Sequence, residues 1–405
     1  MNPIPRPDNL EHVRSDIRGP LYEEALRMGA AGETVLRLNT GNPATFGFQM
    51  PASVKNALLE NADRAVAYCD LRGMPEAREA ICAYHQSEGF PNVTVDDIFV
   101  GNGVSELVTM VLLSLLSRGD ELLTPMPSYS LWTNSTYLAG AKPVFYVCDE
   151  SADWMPDLDD IRRKITPKTR AILLINPNNP TGAVYPRELL EQIVQIAREH
   201  NLVIFSDEIY NRLVLDDLPY TSVAALAPDV PVITMNGLSK SHIVCGFRCG
   251  WMVVSGDKKA LADVVTGMTQ LASMRLCGNA LAQLVIPAAL ADRESTRAMI
   301  VPGGRLYEQR EATVRELSKI EGISFVKNKA AFYIFPKIDV KRFHITDDER
   351  FNLDLLHAKK ILMIPGRGFD WPNPDHFRVV MLPEPETMAK AIRDLGDFLA
   401  TYHQS

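Results

Sequence analysis

Residues 171–210 read AILLINPNNPTGAVYPRELLEQIVQIAREHNLVIFSDEIY. An apolar run, Ala171–Ile175, breaks at two Asn-Pro units. A helix-patterned segment, Arg187–His200, follows, and a second apolar run, Val203–Ser206, ends on the acid Asp207. The same alternation extends outward from about residue 97 to 255. It gives strand candidates at Ile98–Val100, Glu121–Thr124, Pro143–Val147, Val232–Met235 and Gly250–Val254, with a further helical pattern at Val104–Ser117. Short apolar strands alternating with longer helices predict an α/β fold whose mainly parallel sheet is covered by helices on both faces. Ligands of such sheets collect at the carboxyl ends of the strands.

Beyond about residue 295 the pattern changes to a long charged helix at Arg305–Ile320, apolar runs at Ile323–Val326 and Phe332–Phe335, and a final helix at Glu386–Tyr402. This predicts a smaller α+β domain joined by the N-terminal arm, dividing the chain at 1–48, 49–298 and 299–405. A length of 405 residues suits two domains of unequal size. A net charge of -8 argues against nucleic acid as the main partner, because phosphate neutralisation needs an excess of Lys and Arg. The six cysteines form no CxxC pair and read as reduced thiols of a cytoplasmic protein. Prolines and charges fill the N-terminus where a signal peptide needs an apolar run. The longest apolar stretch, Leu107 to Leu116, is about half a membrane span, so no membrane partner is expected. The scattered histidines predict no metal site.

Four segments carry chemistry. Val100-Gly101-Asn102-Gly103-Val104-Ser105-Glu106 follows a strand and opens a helix, where backbone N–H groups and the helix dipole favour an anion. As a dinucleotide fingerprint it lacks the third glycine, with Glu106 in its place, so a nicotinamide-dependent dehydrogenase rests on that glycine pair alone. Asn176 to Gly182 reads either as a proline-fixed turn or as a rigid mount for the Asn179 amide. Asp207 ends a buried run and needs a cationic or hydrogen-bonded partner unless it only caps the next helix, and Tyr210 lies on the same turn. Lys240 follows Asn236-Gly237-Leu238-Ser239 at a strand end, with Arg248 downstream. Such a lysine is either solvated or, once desolvated, able to form a Schiff base.

Asn179, Asp207, Tyr210, Lys240 and Arg248 occur in this order, each at a predicted strand end or just beyond. Here the sequence resembles the fold-type I, class I/II aminotransferases, from about Asp16 to the C-terminus. The resemblance implies a three-layer α/β/α large domain and pyridoxal phosphate as cofactor. Lys240 is then the amine that holds the cofactor and the base that moves the α-proton. Asp207 pairs with the pyridine nitrogen, Tyr210 and Asn179 hydrogen-bond the ring oxygen, and Tyr129 stacks on the ring. Gly103, Val104, Ser105 and Arg248 hold the phosphate, with Ser239 also among the cofactor-binding residues. Tyr68 matches a tyrosine that reaches the neighbouring subunit's phosphate, which implies a homodimer. Arg378 matches the fork for the substrate carboxylate, its alternative being a surface salt bridge. Gly41 lets backbone approach the same carboxylate, with Asn179 beside it.

A closer resemblance, to bacterial alanine (glutamate–pyruvate) aminotransferases, rests on Asp16-Ile17-Arg18-Gly19-Pro20, Gly41-Asn42-Pro43-Ala44, Gly101 to Glu106, Ser273-Met274-Arg275-Leu276-Cys277 and Pro302 to Arg310. It implies ping-pong exchange between alanine plus 2-oxoglutarate and pyruvate plus glutamate, with Arg18 selecting substrate at the entrance. Three positions depart from the pattern. Ser15 stands where relatives carry a tyrosine, Gly237 where they carry a phosphate-binding serine, and Ala330 replaces a glycine and is expected to tighten the side-chain pocket. The alternatives are an aminotransferase for another small or apolar amino acid, and a β-lyase on the same cofactor. A transcription regulator on this fold is expected to carry a DNA-binding domain, for which family-like sequence from residue 16 leaves no room.

Overall fold

In a computed structural model, residues 3–14 and 19–404 are described. The seven apolar runs become strands of one eight-stranded sheet, β1 (Ile98–Asn102), β2 (Glu121–Met126), β3 (Lys142–Asp149), β5 (Thr169–Ile175), β6 (Val203–Asp207), β7 (Val232–Gly237) and β8 (Cys249–Ser255), and the eighth, β4 (Met155–Pro156), is a two-residue strand that the sequence did not mark. The order across the sheet is β1-β8-β7-β6-β5-β2-β3-β4. Strands β7, β6, β5, β2 and β3 are parallel. β8 runs against both of its neighbours, and β4 closes the far edge antiparallel.

Alternation along a strand sends neighbouring side chains to opposite faces. Ile172 and Leu174 of β5 join one core cluster, with Leu190, Ile193 and Val194 of α3 (Arg187–His200). Ala171, Leu173 and Ile175 join the other, with Leu107, Val108 and Val111 of α1 (Val104–Leu115) and Met268 of α4 (Ala262–Met274). A sheet apolar on both faces is thus covered by helices on both. Helix α2 (Ser130–Leu138) follows β2, and its fully buried Trp132 packs on Phe205 of β6. Sequential strands step from β5 through β6 to β7 on one side, and from β2 to β3 on the other. The crevice lies where the order reverses, between β5 and β2.

The C-terminal part packs α5 (Arg305–Leu317), α6 (Asp348–Lys359) and α7 (Pro385–Leu399) around a three-stranded antiparallel sheet. That sheet consists of β9 (Tyr333–Ile334), β10 (Ile364–Pro365) and, between them, β11 (Phe377–Val380). Leu317, Ile334, Phe351, Val379 and Ile392 share a cluster there with Leu38 from the N-terminal arm. The arm is tied further by parallel pairing of Leu36–Arg37 with Ile361–Leu362. In addition, the helix Pro20–Ala30 seats Leu21, Ala25 and Met28 against Leu356 and Leu362. Among the described residues no helix is long and apolar enough to cross a membrane.

Candidate active site

β1 leads into α1 through Gly103, whose positive φ of 84° suits a residue without a side chain. A Cβ there would lie 2.3 Å from Arg248 Nη2, and one at Gly250 would lie 2.5 Å from the Val104 nitrogen. Bare backbone therefore lets the Arg248 guanidinium close over the start of α1, which no side chain caps. Arg248 Nη2 donates to Ser105 Oγ at 3.0 Å, and its Nη1 donates to the Cys245 carbonyl at 3.1 Å. Glu106, in the place of the missing third glycine, accepts from the Asn102 backbone and side-chain amides at 2.8 Å and pairs with Arg275 at 3.3 Å. An uncapped helix start beside an arginine is a cradle for a compact anion.

β6 ends in two adjacent buried acids that serve different surroundings. Asp207 faces the crevice, where Trp132 Nε1 donates to its Oδ2 at 2.9 Å and the Ile209 N–H approaches its Oδ1 at 3.4 Å. Burial pushes its carboxyl up from the ordinary range, against these two hydrogen bonds and the charge of Lys240. Glu208 turns away and takes hydroxyl hydrogen bonds from Ser206 at 2.8 Å and Ser222 at 2.6 Å. Burial pushes it up to about 7.

Lys240 follows β7 on the short helix Leu238–Ser241, and its Nζ donates to the Gly41 carbonyl at 2.8 Å. Gly41 admits no side chain, since a Cβ would lie 2.1 Å from Tyr333 Oη. That hydroxyl in turn lies 2.9 Å from Tyr210 Oη. Arg378 reaches in from β11 at 2% exposure. Its Nη1 donates to Asn179 Oδ1 at 2.9 Å and its Nη2 to the Asn39 carbonyl at 2.6 Å, while its Nε has no partner. The Tyr333 and Phe369 rings flank it at 4.5 and 4.6 Å. No carboxylate among the described residues pairs with it, and burial lowers its pKa. A desolvated guanidinium facing only neutral acceptors is an expensive arrangement that a ligand carboxylate relieves.

Gly41, Val104, Ser105, Tyr129, Asn179, Asp207, Tyr210, Ser239, Lys240, Arg248 and Arg378 line one cavity of about 480 Å³. Gly103 stands directly behind Arg248. Tyr68 lies outside the cavity and is 79% exposed. Arg18 and Ser15 lie outside the described residues. Arg378 proves to be no surface salt bridge, and Asp207 is more than a helix cap. Ala330 does not line the cavity, contrary to the expectation that it tightens it. Its backbone is turned to Gly182 and Asn328, with which it makes hydrogen bonds of 3.0 Å. Gly237 leaves no space for a serine, because a Cβ would lie 2.6 Å from the Cys249 carbonyl. The described residues contain no cluster able to hold a metal ion.

Sequence reasoning missed Trp132, Tyr333, Arg14 and Asn134, of which all but Trp132 line the cavity. The aromatic-rich Ala331-Phe332-Tyr333 segment was the one available signal for Tyr333. Nothing local marks Trp132, whose partner lies far along the chain.

The sequence profile of the class I and II aminotransferases matches residues 33–395. The glutamate-pyruvate aminotransferase AlaA of Escherichia coli (strain K12) is 51% identical over 404 residues, covering 100% of both chains. An alanine aminotransferase of Mycobacterium bovis is 46% identical over 396 residues, 98% of this chain and 92% of that one. The crystal structure of an aminotransferase from Escherichia coli superposes with a TM-score of 0.98 at 51% identity, covering 100% of each chain.

Proposed function

The chain belongs to the class I and II aminotransferases, and from that premise we propose that it exchanges the amino group between L-alanine and 2-oxoglutarate, giving pyruvate and L-glutamate. The relatives named for glutamate-pyruvate and alanine exchange support the substrates. The observation that carries the reading is the buried, carboxylate-free guanidinium of Arg378 in one cavity with the Lys240 amine.

The cavity fits pyridoxal phosphate as cofactor. Gly103 and Gly250 keep backbone bare where Arg248, Ser105 and the start of α1 converge, which suits a phosphate. Asp207 is a buried acid with a cationic partner still wanting, which suits a protonated ring nitrogen. When bound, the cofactor supplies an aldehyde for condensation with amines and a ring that draws electrons from the substrate Cα–H bond. Arg378 and Asn179 fix the α-carboxylate, and thereby the direction of the Cα–H bond. The Lys240 Nζ would take the proton from the substrate Cα and deliver it to the carbon that was the cofactor's aldehyde, so that the amino group stays behind when the keto acid leaves, and Asp207 would hold a proton on the ring nitrogen. Tyr210, Asn179 and Tyr333 present hydrogen-bonding groups beside the lysine, while Tyr129, Val104, Ser105 and Ser239 complete the cofactor walls.

A homodimer is part of the proposal. The exposed apolar residues Val66, Tyr68, Met274, Leu276 and Leu281 fall in two segments, and the short helices Ala62–Ala65 and Ala280–Leu284 pack together. Burial of such a patch by a second copy is favourable, and would carry Tyr68 to the neighbouring phosphate. We further place the domain divisions at 48/49 and 298/299, on the separate apolar cluster around Phe351 and Val379, and the enzyme in the cytoplasm, given its unpaired cysteines.

The test is a panel of amino donors and keto acids scored by half-reaction on the holoenzyme. L-Alanine and 2-oxoglutarate are expected to be the best pair. Pyruvate formed with release of ammonia, and no glutamate, would identify a lyase instead. Borohydride reduction should label Lys240, and Lys240→Ala should lower turnover by about 10⁴-fold or more. Turnover near the wild-type rate in that variant rejects the site.

A further inference from the structure

Four cationic side chains line the cavity: Arg14, Lys240, Arg248 and Arg378. Three have been given tasks above, and Arg14 has none. It comes from the N-terminal arm, where its peptide N–H donates to Asn134 Oδ1 at 2.9 Å and its carbonyl accepts from Asn134 Nδ2 at 2.6 Å. This reciprocal pair clips the arm to α2, on a residue that itself lines the cavity. The clip uses only the backbone of Arg14. Arg14 lines the cavity and is exposed, its charge is felt at Tyr137, and no ion pair among the described residues includes it.

The proposed reaction handles two kinds of substrate in one pocket. Alanine and pyruvate have a single carboxylate and a methyl group, whereas glutamate and 2-oxoglutarate have a second carboxylate at the far end. Arg378 answers the carboxylate that all four share. A second buried cation would be left uncompensated whenever alanine binds, at a desolvation cost. A cation on the hydrated rim avoids that problem, since water stabilises it when the substrate is short.

We propose that Arg14 is the specificity-determining residue that receives the distal carboxylate of the dicarboxylic substrates, an assignment that rests on the alanine–2-oxoglutarate reading above. Asn134 is the positioning residue that keeps it at the mouth. The assignment makes Arg14 selective by class: it acts on diacids and is indifferent to alanine and pyruvate.

The experiment compares wild type, Arg14→Ala, Arg14→Lys and Arg18→Ala as holoenzymes with all four substrates, and titrates each with glutarate and with propionate as unreactive probes. In Arg14→Ala the KM values for 2-oxoglutarate and glutamate should rise by roughly 5- to 20-fold, as expected for loss of a partly hydrated charge-assisted contact. The KM values for alanine and pyruvate should stay within about twofold, as should kcat. Glutarate should weaken by the same factor, propionate should not, and Arg14→Lys should recover most of the loss. Asn134→Ala should move the diacids in the same direction. Equal effects on both substrate classes, no effect on either, or a diacid-selective loss in Arg18→Ala but not Arg14→Ala would each overturn the assignment. A wild-type enzyme that fails to exchange alanine with 2-oxoglutarate rejects the underlying reading before any variant is made.

Discussion

Two fully desolvated arginines, Arg310 and Arg378, sit in this molecule under opposite arrangements. Arg310, on α5, presents its fork to Asp216, with Nη1–Oδ2 at 2.6 Å and Nη2–Oδ1 at 2.5 Å, and its Nε donates to Glu311 at 2.9 Å. Burial pulls its pKa down, but the Asp216 hydrogen bonds and charge reverse the sign and raise it. Arg378 has aromatic rings on both sides and only an amide oxygen and a carbonyl as acceptors, so burial prevails and its pKa falls. The first charge is neutralised within the fold and serves its cohesion. The second is held open, as the proposed role of receiving a substrate carboxylate requires.

The comparison breaks if the two arginines respond alike to removal. Arg378→Ala should lower kcat/KM for alanine by roughly 10²- to 10³-fold, mainly through KM, since a bidentate charged contact is lost. Its thermal midpoint should be unchanged or higher without ligand, because an uncompensated buried charge is gone. Arg310→Ala should do the reverse. Unfolding in urea should show a loss of about 2–3 kcal/mol, below the roughly 3–5 kcal/mol of a fully buried pair because Asp216 keeps some hydration. Its kcat/KM should change by no more than a few-fold. A melt of Arg378→Ala that drops as far as that of Arg310→Ala would show that both charges are structural.

The smallest effect concerns the two acids at the end of β6, Asp207 and the following Glu208, and sharpens the same contrast. Glu208, with a folded value of about 7 against an ordinary 4.5, binds its proton more tightly in the folded protein than in the unfolded chain. Its contribution to stability is therefore fully present below pH 4.5, and is lost as the pH climbs through 7. Glu208→Gln should remove that slope and, at pH 8, gain on the order of 1–2 kcal/mol over wild type in urea unfolding. A pH profile identical to wild type would place Glu208 among ordinary carboxylates.

The large sheet was legible because every strand but the two-residue β4 holds an apolar run that ends at polar or small residues: Ala171–Ile175 and Val203–Ser206 lie inside β5 and β6. The helix expected at Arg187–His200 is observed with those bounds, stopped by Asn201 in the left-handed region at φ 53°. The loops that line the cavity were legible for the same reason, since a parallel sheet presents its strand ends together. The smaller domain was less so. Its strands, such as Tyr333–Ile334 and Ile364–Pro365, are two residues long, too short for a period to register. Ile323–Val326 pairs only over Ile323–Ser324. Site residues delivered across that boundary, Tyr333 to Tyr210 and Arg14 to Asn134, depend on contacts between distant parts of the chain that local pattern does not encode. Arg378 was recognised from its motif, but its burial, which decides its chemistry, came only with the fold.

Trp132 has a last bearing on the acid it supports. An indole N–H neither gains nor loses a proton over any pH at which the protein works. Had an imidazole occupied that place, acidification would add a charge beside Asp207, and alkali would permit a tautomer with no hydrogen to offer. With Trp132 the donor at 2.9 Å has no off state, so the hydrogen bond offered to Asp207 is the same whatever the acidity of the medium.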